Sequence, residues 1–227
     1  MSKSDHRGVF LDEALEEFPA DYWRYWIPVN SPESDDSVFG FDSFQNVINK
    51  DLNDVLGNFI NRVLKMTQNN FGCAIPPMGQ ITDKETTLFA TLDDLIQKYT
   101  AQMDAIEFRK SLAILREIWT TGNNYIAQTE PWKVAKTDKK YAGTILNIAL
   151  NLIHLFAQLT APIMPETAEK MLAIFNKKPS FVWPKAKAEQ LLSTLKEGDS
   201  FQPTDPLFRK ITDEEKEALK QKHREGG

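Results

Sequence analysis

The sequence predicts an all-α protein, an antiparallel helical bundle preceded by a small mixed segment. Apolar residues recur at three- and four-residue spacing over stretches much longer than a strand. Breakers such as Pro76-Pro77 and Pro131 divide those stretches and leave short connections, as in an antiparallel bundle. No stretch shows the strict polar–apolar alternation of a half-buried strand.

Residues 1–40 form the mixed segment. After a polar start, Asp12 to Glu17 has a short helical pattern, and Pro19-Ala20-Asp21 restarts a second helix with Tyr22, Trp23, Tyr25 and Trp26. Pro28 and the Ser- and Pro-containing run 30–36 break it, as such residues do. This unit is too poor in core to stand alone, so its aromatic group is expected to pack against the bundle.

The bundle spans residues 41–227. Asp42 or Ser43 is expected to cap a long helix carrying Phe44, Val47, Ile48, Leu52, Val55, Leu56, Phe59, Val63 and Met66 to a stop near Gly72. Thr82 with Glu85 three residues on has the pattern of a capping box opening a helix to about Tyr99. A third helix is expected from about Asp104 to Gln128, ending at Glu130-Pro131-Trp132. The fourth, Lys139 to Leu159, is the most apolar, and Glu166 to Phe175 makes a short fifth. After Trp183-Pro184 the periodicity fades until Asp213 to His223, a charged terminal helix expected to be solvated.

Composition bounds the function. The 227 residues are 41% hydrophobic and 26% charged, as in ordinary globular proteins. No uninterrupted apolar run reaches the roughly 18 residues of a membrane span, and no membrane partner is expected. The single cysteine, Cys73, excludes an internal disulfide framework and a cysteine-rich zinc site within the chain. With 27 basic against 32 acidic residues, the net charge is −5. That disfavours non-specific coating of nucleic acid, which needs many phosphate contacts, but permits a local basic patch. His154, in the apolar fourth helix, reads as a core histidine, and no metal motif is present. A cytoplasmic protein is expected.

Three motifs could carry chemistry. Met1-Ser2-Lys3-Ser4 is a polar start with a lysine. Asn58 and Arg62 lie four apart on the first long helix, so they project from one face. An amide and a guanidinium can both make bidentate bonds to base edges, and arginine also stacks. In Pro131-Trp132-Lys133-Val134-Ala135-Lys136, a tryptophan at a helix junction precedes Lys133, Lys136, Lys139 and Lys140. An aromatic beside lysines suits stacking of an unpaired base and contact with its backbone.

In this order, and with Asp205-Pro206-Leu207-Phe208-Arg209-Lys210-Ile211 near the end, the chain resembles the methionyl-tRNA synthetases from their Lys-Met-Ser-Lys-Ser loop through the anticodon-binding domain. The resemblance makes residues 1–40 the end of a catalytic domain with its ATP loop and stem-contact segment. It implies that Lys3, flanked by Met1, Ser2 and Ser4, meets the ATP phosphates in the intact enzyme. Two departures stand out: the signature's leading lysine is absent, and Asp5-His6 separates Ser4 from Arg7-Gly8. The resemblance also implies that Asn58, Arg62 and Trp132, with Pro131 positioning the tryptophan, contact a CAU anticodon. Lys133 and Lys136 would meet the tRNA backbone. Asp21 and Arg24 either pair locally or touch the inner side of the tRNA.

The implied partners are tRNA(Met) through its anticodon stem-loop and the catalytic domain of the same enzyme. ATP with Mg belongs to that intact enzyme, and no cofactor is expected on this chain. The sequence lacks His-x-Gly-His and alternating β/α patterning, so it reads as a fragment inactive in aminoacylation. Two alternatives stay open. A related class I synthetase for Leu, Ile, Val or Cys would share the bundle and the ATP signature. A non-enzymatic helical adaptor would fit the acidity but leave the motifs unexplained.

Overall fold

A computed structural model describes residues 11–31, 40–179 and 182–225. Lys3 and its neighbours Met1, Ser2 and Ser4 lie outside the described residues.

Eleven α-helices and one π-helical segment make up the regular structure of the described residues. The first two are α1 (Leu11–Glu17) and α2 (Ala20–Val29). The predicted first long helix is continuous but composite: α3 (Phe41–Val47), a π-helical segment (Ile48–Gly57) and α4 (Asn58–Phe71). Its buried residues Phe44, Ile48, Leu52, Leu56 and Ile60 repeat every fourth position. In a plain α-helix such a row drifts by about 40° per step, because 3.6 residues make a turn. The wider π turn keeps these side chains facing the core. Neither Asp42 nor Ser43 caps the helix; Gly40 occupies the N-cap position. The Ser43 hydroxyl instead bonds Asn30 at 3.0 Å, and Asp42 pairs with Lys220 at 2.9 Å. Gly72, at φ 74°, ends α4 in a backbone conformation that favours glycine.

Helices α5 (Asp83–Asp104) and α6 (Phe108–Thr129) form an antiparallel hairpin. The capping box at Thr82 and Glu85 is formed. The turn between the helices comes later than the periodicity suggested. Ile106 adopts φ 61° there, so α5 runs past Tyr99 and α6 starts at Phe108. Short α7 (Pro131–Val134) follows and packs on α8 (Lys139–Thr160).

By length and mean hydropathy α8 could cross a membrane, but 89% of that stretch is buried in the protein. It is the central core helix, packed by α4, α6, α7 and α9 (Pro165–Ala173). Gly122 of α6 permits the close approach. A Cβ there would lie 2.9 Å from Cζ of Phe156 and 3.1 Å from Cε2 of Phe59, and both rings are buried.

Beyond α9 the chain is irregular yet packed. Besides α10 (Ala188–Leu191), it buries Leu192, Leu195, Phe201, Phe208 and Ile211. The amide of Ile75 donates to the Asp199 carbonyl at 2.8 Å, and that of Phe201 to Cys73 at 3.0 Å. The terminal α11 (Asp213–Glu225) is less solvated than its charge suggested. Leu219 is buried, Lys216 and Lys220 reach Asp42 on α3, and Lys222 pairs with Glu17 on α1.

The aromatic group of α2 packs into the bundle as expected. Tyr25 is fully buried beside Trp119, and Trp23 stacks on Phe44 with centroids 4.2 Å apart. Asp21 and Arg24 do not pair with each other. Buried Asp21 accepts from the Thr167 amide in the first turn of α9 at 2.6 Å. Arg24 donates through Nε to the Ile163 carbonyl at 2.9 Å. Both fasten α2 to the α8–α9 junction.

Candidate nucleic-acid interface

Helix α4 contains no carboxylate. Its exposed Asn58, Arg62, Lys65 and Asn69 recur at helical spacing, so they share one face. The π-helical segment sets where that face begins: the amide of Asn58 donates to the carbonyls of Asn53 and Val55. Asn123 of α6 also donates to the Val55 carbonyl, at 3.0 Å, tying α6 to the turn just before Asn58. π-helical turns are frequent at functional sites, and here one directly precedes the exposed face of α4.

On α7, Trp132 is 39% exposed, unlike the buried Trp119 and Trp23. Its backbone is fixed from the preceding residue. Glu130 holds the left-handed conformation at φ 45°, ψ 56°, one that L-residues rarely adopt and that is further restricted before proline. The Glu130 carbonyl accepts from the amides of Lys133 and Val134 at 2.8 and 3.1 Å. Pro131 is buried, so it supports the tryptophan from beneath the surface. The guanidinium of Arg62 lies 5.8 Å from the centroid of the Trp132 ring, within cation–π range.

The lysines differ in their surroundings. Lys133 folds back to Glu130 at 2.7 Å, whereas Lys136 is exposed. Lys139, at the start of α8, sits 5.4 Å from the Phe71 ring centroid at the end of α4. The α4–α7–α8 face therefore gathers Arg62, Lys65, Lys136 and Lys139 around an exposed aromatic, with Glu130 at the start of α7 and Asp138 at the start of α8, although the chain is acidic overall. Arg62 and Trp132 meet directly, Asn58 lies one turn from Arg62, and Lys133 and Lys136 follow the tryptophan along the chain.

A buried carboxylate, Glu85, stands behind this face, and its spacing from Thr82 predicts only a capping role. The Glu85 side chain takes four hydrogen bonds. Its Oε2 accepts from the amide and hydroxyl of Thr82, both at 2.7 Å, and its Oε1 from Tyr125 at 2.8 Å and Tyr141 at 3.1 Å. Burial pushes the carboxyl upward in pKa. The bonds from Thr82, Tyr125 and Tyr141 outweigh burial and hold it below its ordinary value. Desolvation, followed by the Glu85 charge, drives the Tyr125 hydroxyl well above its usual range. The capping box was legible; the tyrosines come from other helices and carried no local signal. Half-buried His154 also has its pKa lowered, first by burial and then by Lys177.

Residues 75–226 match the family model described as the anticodon binding domain of methionyl tRNA ligase. The chain belongs to the methionyl-tRNA ligase anticodon-binding family. Residues 1–64 match a second model, tRNA synthetases class I (M). The methionine–tRNA ligase of Jannaschia sp. (strain CCS1) is 44% identical over 217 residues, covering 96% of this chain and 37% of that protein. That of Caulobacter sp. (strain K31) is 43% identical, covering 95% and 38%. The chain thus spans less than two-fifths of the length of these relatives. Mycobacterium tuberculosis methionyl-tRNA synthetase in complex with methionyl-adenylate superposes with a TM-score of 0.79 at 26% identity, over 92% of this chain and 41% of that one. Its apo form gives a TM-score of 0.77 at 24% identity, over 91% and 42%, a likeness of fold.

Proposed function

We propose that the α4–α7 face reads the CAU anticodon of tRNA(Met) for a methionine–tRNA ligase that works in the cytoplasm. The observation that carries this reading is the meeting of Arg62 and Trp132 on an exposed face whose α4 side holds no carboxylate, in a chain of this family. Trp132 offers a platform on which one splayed anticodon base stacks. Arg62 covers that platform in the free protein and, once a base is seated, can turn its planar donors to a base edge or phosphate. Asn58, one turn away, offers an amide that both donates and accepts, suited to a base edge. Lys136 and Lys133 steer the backbone, and Lys133 must first leave Glu130. Pro131 contributes by fixing the tryptophan.

The whole enzyme is proposed to esterify methionine to this tRNA at the expense of ATP, with Lys3 at the ATP phosphates and Met1, Ser2 and Ser4 around it. Those residues lie outside the described ones, and no step is built on them. The share of the bundle is to orient the tRNA toward a catalytic domain of the same enzyme. The chain by itself is proposed to form no adenylate, a reading supported by the all-helical architecture of its described residues. ATP–pyrophosphate exchange by the pure chain would contradict it.

Nuclear magnetic resonance tests the position of the site. Titrating a CAU anticodon stem-loop into labelled protein is expected to shift the Asn58 amide, the Arg62 guanidinium and the Trp132 indole. Shifts that leave all three in place and cluster elsewhere would overturn the assignment.

A further inference from the structure

We propose that Glu85, with Tyr125 and Tyr141, positions the Trp132 platform, so that anticodon reading depends on a carboxylate that never touches RNA. This inference rests on the functional reading above and extends it to residues behind the surface.

The geometry supports it from three directions. Glu85 belongs to the first turn of α5, Tyr125 to the last turns of α6 and Tyr141 to the first turn of α8. The two hydroxyls donate to the same oxygen, Oε1, so one atom ties the end of α6 to the start of α8. Those two ends bracket α7, which carries Trp132 and packs on α8. Additional bonds stiffen the same junction. Lys84 donates to the Gln128 carbonyl at 3.0 Å, Thr129 to the Tyr125 carbonyl at 2.6 Å, and the hydroxyls of Thr82 and Tyr141 lie 3.2 Å apart.

The arrangement is costly without such a role. A buried carboxylate is tolerated only when fully hydrogen-bonded, and a half-satisfied polar network is worse than an apolar one. A capping box needs only Thr82 and Glu85. Bringing both tyrosines to the free oxygen adds no helix cap; it fixes the angle between α6 and α8, which sets where α7 lies. The left-handed Glu130 at the mouth of α7 is a conformation that surrounding structure must hold.

The test compares Tyr141→Phe and Glu85→Gln with Tyr99→Phe in the 227-residue chain. Tyr99 is a suitable control, since its hydroxyl donates to the Leu159 carbonyl at 2.9 Å, at the opposite ends of α5 and α8 from the network. Three quantities are measured: the Trp132 indole resonance without RNA, the affinity for CAU and variant stem-loops across salt concentrations, and the thermal midpoint. Tyr141→Phe and Glu85→Gln are expected to move the indole resonance and weaken CAU binding about tenfold. The salt slope, which counts phosphate contacts, stays unchanged. Tyr99→Phe lowers the midpoint and moves neither of the other two. If the network variants lose only stability, like Tyr99→Phe, the positioning role is overturned. A wild-type chain blind to the anticodon would overturn the functional reading instead, and the indole resonance would then decide the positioning role by itself.

Discussion

The guanidinium of Arg62 lies over the ring of Trp132, 5.8 Å from its centroid. The contact joins α4 to α7 and brings together two motifs that are far apart in sequence. Each partner is exposed, so their meeting does little for the core. On the proposed reading, this cation lies on the platform in the free protein and gives way to a base.

Trp132→Ala separates binding from folding. A stacked base contributes roughly 1–3 kcal/mol, so affinity for the CAU stem-loop is expected to fall about 5- to 150-fold. The thermal midpoint stays near that of the wild type, because the ring is 39% exposed. Anisotropy and calorimetry on the same preparation check both parts.

Arg62→Lys keeps the charge and removes the planar fork. Preference for CAU over single-base variants is expected to shrink by about 1–3 kcal/mol, the usual worth of a bidentate base contact. The salt slope should be retained. A variant that keeps the preference would show that Arg62 acts as a charge alone.

The helices were legible in the sequence because their apolar spacing is a local property. Thr82 and Glu85 announced the start of α5, and the α8 stripe announced the core. The π-helical segment was not legible, although its cause was visible in the fourfold spacing from Phe44 to Ile60. Hydrogen-bond register is chosen by packing, and Asn123 and Phe208 press on that segment from distant parts of the chain. Asn58 and Arg62 could be paired from their spacing alone. Their proximity to Trp132 could not, and neither could the two tyrosines on Glu85, since both are tertiary facts. Asp21 misled the local reading for the same reason: its partner amide belongs to Thr167.

Asp21→Ala tests that clasp. The carboxylate is 2% exposed and accepts a 2.6 Å bond in the first turn of α9, where negative charge is favoured. Losing it leaves a buried amide unpaired, at about 1–3 kcal/mol. Urea unfolding should show that loss in Asp21→Ala and a smaller one in Asp21→Asn.

Acid stability should report Glu85. Its folded carboxyl titrates below the ordinary value because hydrogen bonds outweigh burial. The unfolded group titrates near 4.3. The contribution is therefore complete above about pH 4.3 and disappears as pH falls through the lower folded value. Thermal midpoints taken downward from pH 6 should decline more steeply below about pH 4 in the wild type than in Glu85→Gln. Parallel curves would remove Glu85 from the acid response.

Anticodon reading by the Arg62–Trp132 face is tested by fluorescence anisotropy with labelled anticodon stem-loops at one fixed salt concentration. CAU is compared with its three single-base neighbours at each position, for the wild type and for Arg62→Ala with Trp132→Ala. The wild type is expected to bind CAU most tightly, and the double variant to lose the preference while remaining folded. Equal affinity of the wild type for every loop, or an unchanged preference in the double variant, would contradict it.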